Sequence, residues 1–209
     1  MKLSFIGIGN VGFALADNLQ QKGYEIVVAN DNPASKSVQA ALAKNPNFEV
    51  RPLQEAVDAS EIVFLATPFA ANESVLNSID LKDKILIDCT NPVGKGISHG
   101  LQSTISGAEK VQEWAKTAQV IKAFTIYGFE NFQDATFPKY DVKPVMLVAG
   151  NEPVAKHTFE PLVQDLGFQM KDVGALDQAL HLEHMTLLWV KMVRRDGHHP
   201  NFVWAYLEK

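Results

Sequence analysis

Gly7-Ile8-Gly9-Asn10-Val11-Gly12, following the apolar run Leu3-Ser4-Phe5-Ile6, is the stretch that decides the fold. After the glycines, Val11, Ala14, Leu15, Leu19 and Lys22 recur at helical spacing, and Gly23 ends the run. Strand, glycine turn and helix in that order make the first half of a dinucleotide-binding unit. Each glycine has its own task. Gly7 permits the tight turn, Gly9 lets the backbone close on a pyrophosphate, and Gly12 lets helix and strand pack closely. The helix N-terminus adds unpaired N–H groups and a partial positive charge, which suit a diphosphate. A glycine turn can also serve packing alone, so the weight of the signature comes from its place between a strand and a helix.

The rest of the chain keeps the same rhythm. Glu25–Ala29 reads as a second strand and Asn30-Asp31-Asn32 as its turn, with a helix starting at Pro33 and capped by Asn32. Phe48–Val50, Ile62–Ala66 and Ile85–Cys89 read as further strands, separated by helical segments at Leu53–Ala59 and Ala70–Ser78. Continuous apolar strands alternating with helices predict a parallel sheet covered on both faces. Thr90–Ile105 is a long glycine-bearing loop, and loops of that length are often functional. Ser106 and Glu109 form a capping box, and Val120–Thr125 returns to the sheet. Beyond the irregular stretch Ile126–Lys143 come a strand at Val145–Ala149, a helix at Glu152–Leu166 capped by Asn151, and a strand at Phe168–Val173. The last helix, Leu176–Arg194, is apolar on most faces, which predicts burial or a homodimer interface. The expected fold is α/β, a Rossmann-like doubly wound, mostly parallel sheet with a small C-terminal helical lobe. Residues 1–143 form the dinucleotide-binding domain, and 144–209 extend the sheet and carry the long buried helix.

Composition bounds the partners. Among 209 residues, a hydrophobic fraction of 46% supports a sizeable core without staples. A formal net charge of −5 with no basic run argues against nucleic-acid binding. Cys89, the only cysteine, can form no internal disulfide, which fits a reducing compartment. The chain enters its first strand at once, and its longest apolar stretch, Thr186–Val193, carries Lys191. Neither a signal peptide nor a membrane span is expected, so the cytoplasm is the expected location.

In open parallel sheets, ligands bind beyond the carboxyl ends of the strands. Gly7, Ile8, Gly9, Asn10, Val11 and Gly12 are therefore the first candidates, joined by Asn30 and Asp31, by Ala66, Thr67 and Pro68, and by Asn91 and Pro92. Thr67 and Asn91 can hydrogen-bond riboses or a carboxamide, or simply form turns. Asp31 lies 19 positions beyond Gly12, near the usual separation of about 20 at which a carboxylate accepts from the adenosine ribose and repels a 2′-phosphate. That favours NADH, unless Asp31 is only a helix cap. Ser35 and Lys36 stand close enough to hold the phosphate and keep NADPH in play.

Nearly from end to end the sequence resembles the NADP oxidoreductases that depend on coenzyme F-420, a deazaflavin. The resemblance rests on Gly7–Gly12, Phe64–Pro68, Ile87–Pro92, Lys122–Thr125, Val148–Asn151, Leu182–Met185 and Leu188-Trp189. It implies NADP as cofactor and hydride transfer between the nicotinamide and a second ring stacked on it, a flavin or deazaflavin or another small redox partner. Members of that family commonly carry Ser-Arg where this chain has Asn30-Asp31. Such a transfer needs ring placement more than an acid or base, and no catalytic residue stands out. Met185 and Trp189 can wall the second ring or belong to the core. A non-catalytic dinucleotide sensor is an alternative, motivated by the apolar last helix. A hydroxy-acid or imine reductase is another, and would need Lys122 as proton donor.

Three sharper motifs are set aside. Gly96-Ile97-Ser98-His99-Gly100 fits G-x-S-x-G, but Asn91–Lys95 separate it from the strand a nucleophile elbow requires. Tyr140 and Lys143 have the wrong spacing for a helical proton relay, and Pro144 argues against helix there. His181, Glu183 and His184, even with His198 and His199, read as a solvated face and tail, and no metal is expected.

Overall fold

The structure is a computed structural model describing residues 1–209. Ten strands and eight α-helices follow in chain order. They are β1 (Lys2–Ile6), α1 (Asn10–Gln21), β2 (Glu25–Ala29), α2 (Lys36–Lys44), β3 (Glu49–Arg51), α3 (Leu53–Ala59), β4 (Ile62–Leu65), α4 (Asn72–Leu76) and β5 (Ile85–Asp88). After them come β6 (Val93–Gly94), β7 (Ser98–His99), α5 (Gly107–Trp114), β8 (Gln119–Lys122), α6 (Glu130–Gln133), β9 (Val145–Gly150), α7 (Pro153–Asp165), β10 (Gln169–Asp172) and α8 (Ala179–Val190).

Eight strands form one sheet in the order β10-β9-β8-β5-β4-β1-β2-β3, and β6 and β7 form a separate hairpin. Every pairing in the large sheet is parallel except β8 with β9. One row of the register runs Val28, Phe5, Phe64, Ile87, Ile121, all 1% exposed or less. Such strands cannot face water on either side, which is why they read as unbroken apolar runs. A single core of 50 buried residues joins both faces and includes Phe159 and Phe168 from the last third of the chain. Phe5 stacks on Phe64 at 4.5 Å between centroids, and Phe124, Phe132 and Phe159 continue that aromatic cluster edge-on. Residues after 143 thus add β9, β10 and two helices to the same sheet and core. No helix is long and apolar enough to cross a membrane.

Helix boundaries differ from the sequence reading where a side chain found another partner. Asn32 does not cap a helix at Pro33. Its Oδ1 accepts from Ala34 N at 3.1 Å, closing a local turn, and α2 starts three residues later. Asn151 does not cap α7, since its Oδ1 accepts from Leu176 N at 2.9 Å and Glu152 takes the cap position. The segment expected as a helix over Ala70–Ser78 is a 3₁₀ turn, Phe69–Ala71, followed by the short α4, and the Asn72 side chain is fully buried at the junction. The last helix is also segmented, with a 3₁₀ turn at Leu176–Gln178 before α8 and a π-helical turn at Lys191–Arg195 after it. It buries Leu182, Glu183, Thr186 and Trp189 but leaves Leu188 44% exposed, so within one chain it is covered on one side only. The capping box at Ser106 and Glu109 forms as its spacing predicts.

Candidate active site

The strand order brings the carboxyl ends of β2, β1, β4, β5 and β8 side by side along one edge. Connections lead one way from β1 to β2 and β3 and the other way to β4 and β5, so the crevice opens at the switch point where such sheets bind ligands.

The three glycines divide as their chemistry requires. Gly7 has φ 95°, and a Cβ there would lie 2.6 Å from the Ala66 carbonyl carbon and 2.7 Å from Thr67 N. The turns after β1 and β4 therefore touch at Gly7. A Cβ on Gly12 would run into the Gly7 carbonyl oxygen. Gly9 is different. Its φ of −71° suits any residue, and a Cβ there meets nothing within 4 Å. The fold needs the first and third glycines and has no use for the second. Gly9 stands at the N-terminus of α1, which has no side-chain cap and no acidic residue in its first turn. A hollow of about 160 Å³ adjoins this terminus, with Ile8, Gly9, Asn10, Phe13, Ser37 and Lys44 among its lining residues. Val11 follows in the first turn of α1, half-buried.

At the end of β2 the side chains are already engaged. Asn30 Oδ1 accepts from Asn32 N at 2.8 Å, and Asp31 Oδ1 accepts from Leu53 N at 2.8 Å. Asp31 does not cap a helix at Pro33; it ties the end of β2 to the first residue of α3. Lys36 is exposed at the start of α2 and does not line the hollow. Ser37 and Lys44 of the same helix do, and Lys44 Nζ lies 4.9 Å from the centre of the Phe13 ring. Sequence reading missed both, although α2 presents Ser37, Lys44 and the lining residues Ala40 and Ala41 together.

On the other side of the switch point a continuous polar network runs inward from the crevice. Thr67 Oγ1 donates to Asn72 Oδ1 at 2.7 Å, Asn72 Nδ2 donates to Thr90 Oγ1 at 2.9 Å, and Thr90 Oγ1 donates to Asp88 Oδ1 at 2.7 Å. Lys122 Nζ then donates to Asp88 Oδ2 at 3.0 Å and to the Thr90 carbonyl, and pairs with Glu183 Oε1 at 3.0 Å. Glu183 Oε2 accepts from His99 Nε2 at 2.8 Å and from Gly107 N at 2.9 Å, while Oε1 takes Ala108 N at 3.2 Å. The His99 proton is fixed on Nε2, because Nδ1 accepts from Leu101 N and Ser103 N.

The Lys122 side chain is 0% exposed, as is that of Asp88. Burial works against its charge, but Asp88 and Glu183 outweigh burial and hold its pKa above the usual lysine value. Burial likewise opposes charge on Glu183, yet Lys122, His99 and the α5 backbone keep its pKa below the ordinary carboxylate range. All three Lys122 protons are taken, so this lysine is no proton donor to a substrate. Asn91, half-buried, lies beside the network with Oδ1 3.0 Å from the Thr186 hydroxyl, which also reaches the Thr125 carbonyl at 2.8 Å. Pro92 is buried against Gly107, where a Cβ would come within 2.9 Å of it, and Pro68 is exposed at the rim. Asn72, Asp88, His99 and Glu183 were missed in the sequence as members of the site, while Thr90 opens the loop Thr90–Ile105 that the sequence singled out. The available signal was two carboxylates and one lysine set in otherwise apolar elements, since buried charges come paired.

The remaining candidates lie elsewhere. Trp189 is 4% exposed and packs on Gly128, while Met185 is only partly buried. Ser98 stands on the β6–β7 hairpin with its hydroxyl donating to the Lys95 carbonyl, which is no strand-to-helix elbow. Tyr140 and Lys143 lie on a loop that includes neither helix nor strand. His184 pairs with Ser103, and no group of three or more potential metal ligands is assembled.

Known proteins share this architecture. The rat (Rattus norvegicus) metalloreductase STEAP3 is 30% identical over 188 residues, which is 89% of this chain but 36% of that protein. The chain thus spans little more than a third of that relative's length. A proposed F420-dependent NADP-reductase from Arthrobacter sp. FB24 superposes over the whole of both chains with a TM-score of 0.81 at 23% identity. The reductive aminase of Aspergillus terreus, solved with NADPH and ethyl-5-oxohexanoate, covers 92% of this chain and 61% of its own, with a TM-score of 0.66 at 18% identity. The model of the family described as NADP oxidoreductase, coenzyme F420-dependent, matches residues 2–92, from β1 to the loop after β5. Over those residues, fewer than half of the chain, the sequence is similar to that family.

Proposed function

We propose that this protein binds NADPH across the β1 and β4 strand ends and passes hydride between its nicotinamide and a flavin-like ring or another small redox partner. Gly9 carries the reading. It is a glycine that neither backbone strain nor packing explains, at an uncapped helix N-terminus. A diphosphate that must approach the backbone closely accounts for it. In this reading the amides of Gly9, Asn10 and Val11 hold the diphosphate, with Ile8 as floor. Ala66, Thr67 and Pro68 line the central ribose, and Asn91 and Pro92 flank the nicotinamide. Ser37 and Lys44 face the adenosine end, and Lys36 stands further out.

The preference for NADH that Asp31 suggests weakens, because its Oδ1 is drawn to Leu53 N. Lys44 beside the hollow supports a ribose phosphate instead, in keeping with the family. When bound, the nicotinamide supplies the hydride. The protein's part is to orient it, exclude water and offer a flat wall to the partner. The hydroxy-acid or imine reductase alternative loses its donor, since Lys122 is saturated by Asp88, Thr90 and Glu183. The partly bare outer face of α8, with Leu188 exposed, supports self-association as part of the same reading.

The test is turnover. NADPH absorbance followed with free flavin, a deazaflavin, a quinone and a ferric chelate should fall with at least one acceptor, and faster than with NADH. Tight NADPH binding with no oxidation by any acceptor would overturn the enzymatic reading and leave the sensor.

A further inference from the structure

We propose that Lys122 is a positioning residue for the nicotinamide side of the crevice, acting through Asp88, Thr90 and Glu183. The inference rests on the dinucleotide reading above and assigns a role to a buried cluster which that reading does not use. Six segments meet at this cluster. Thr67 and Asn72 come from the β4 connection, Asp88 and Thr90 from the end of β5, and Lys122 from the end of β8. Glu183 comes from α8, Gly107 and Ala108 from the start of α5, and His99 from the β6–β7 hairpin.

Lys122 and Glu183 have no hydrogen-bonding position left open, so the centre of the cluster has little geometric freedom. Lys122 has three protons and three acceptors. Glu183 has four donors on two oxygens, the number a carboxylate can take. Two carboxylates against one lysine leave one negative charge, which the N-terminus of α5 faces through the amides of Gly107 and Ala108. A well-packed apolar cluster would hold these segments together at no desolvation cost. What an ion pair with directional bonds adds is position.

The backbone around the cluster is held in unfavourable conformations. Phe124, two residues after Lys122, has φ 55°, and Ile97, Gln102 and Ser103 have φ between 55° and 59°. His99 Nδ1 holds the Leu101 and Ser103 amides of that same loop. Thr90, gripped from below by Lys122, is followed directly by Asn91, which Thr186 ties to α8. The cluster is not a proton path. The Asn72 amide interrupts it on the crevice side, and both His99 ring nitrogens are occupied at the other end.

The experiment compares Lys122→Met and Glu183→Gln with the native chain, measuring affinity for NADPH, affinity for its adenosine bisphosphate half alone, and the pH profile of turnover. The inference predicts unchanged affinity for the half-molecule, loss of the extra affinity that the nicotinamide half provides, and a kcat lower by on the order of a hundredfold. It also predicts no ionisation that disappears from the profile. Glu183→Gln keeps the shape of the cluster, so it answers the question if Lys122→Met does not fold. Equal NADPH affinity and equal kcat in a folded variant would overturn the inference and leave a structural ion pair. A lost ionisation rescued by added amines would overturn it in favour of a proton donor. A native chain that binds neither NADPH nor the half-molecule would overturn the dinucleotide reading itself, and this inference with it.

Discussion

Replacing Gly9 by valine separates ligand binding from folding more cleanly than any other change. At φ −71° valine avoids the left-handed region, and a Cβ there has no neighbour within 4 Å. The folded state should lose nothing. Restricting the unfolded chain should leave stability equal or raise it by up to about 1 kcal/mol. The branched side chain would instead fill the space through which a diphosphate reaches the amides of α1. Hydrogen bonds to charged groups contribute about 1.5–3 kcal/mol each. Displacing two of them costs about 3–6 kcal/mol, or about 10²–10⁴-fold in Kd. Calorimetric titration with NADPH and a thermal melt of the unliganded protein measure the two quantities separately. Gly12→Ala is the control, because its Cβ meets the Gly7 carbonyl and should lower stability by about 1–3 kcal/mol. A Gly9→Val protein that binds NADPH within about threefold of the native Kd, about 0.7 kcal/mol, would refute the argument from the unexplained glycine.

Other outcomes follow from the buried cluster and the adenosine end. Lys122→Met leaves Asp88 and Glu183 buried without a cation and should cost about 3–5 kcal/mol, read as a lower urea midpoint at unchanged slope. Glu183 is held below its usual value of 4.5, so its contribution to stability is complete above that pH and is lost as the pH falls through its folded value. Glu183→Gln should therefore flatten the acid limb of the stability profile, which denaturation between neutral pH and about pH 3 would detect. Lys44→Glu should weaken NADPH more than NADH. A proportional loss for both would show that Lys44 does not face the ribose phosphate.

The fold was legible because each core strand is apolar on both faces, and only a parallel sheet covered by helices buries such strands. The glycine turn was legible because its glycines fall at fixed offsets between a strand and a helix. Helix starts were less so. Asn32 and Asn151 are good caps by type, but an asparagine oxygen takes whichever amide the tertiary fold presents, Ala34 N in one case and Leu176 N in the other. Asp31 shows the same limit at the site. Its offset from Gly12 fits a ribose-binding carboxylate, yet the neighbouring strand brings Leu53 N to it. The buried cluster was hidden for a different reason. Asp88, Lys122 and Glu183 lie far apart in the chain, and only the order β8-β5-β4 with α8 packed behind it makes them one group. Lys122 alone looked like an acid awaiting a substrate, and its partners show it to be fully engaged.

The most direct measurement is titration of the native protein with NADPH, read together with the shift of its melting temperature. Saturation at one NADPH per chain below about 1 mM, with weaker binding of NADH and a raised melting temperature, is the predicted result. No heat and no thermal shift with either dinucleotide would contradict the claim that the α1 terminus holds a diphosphate.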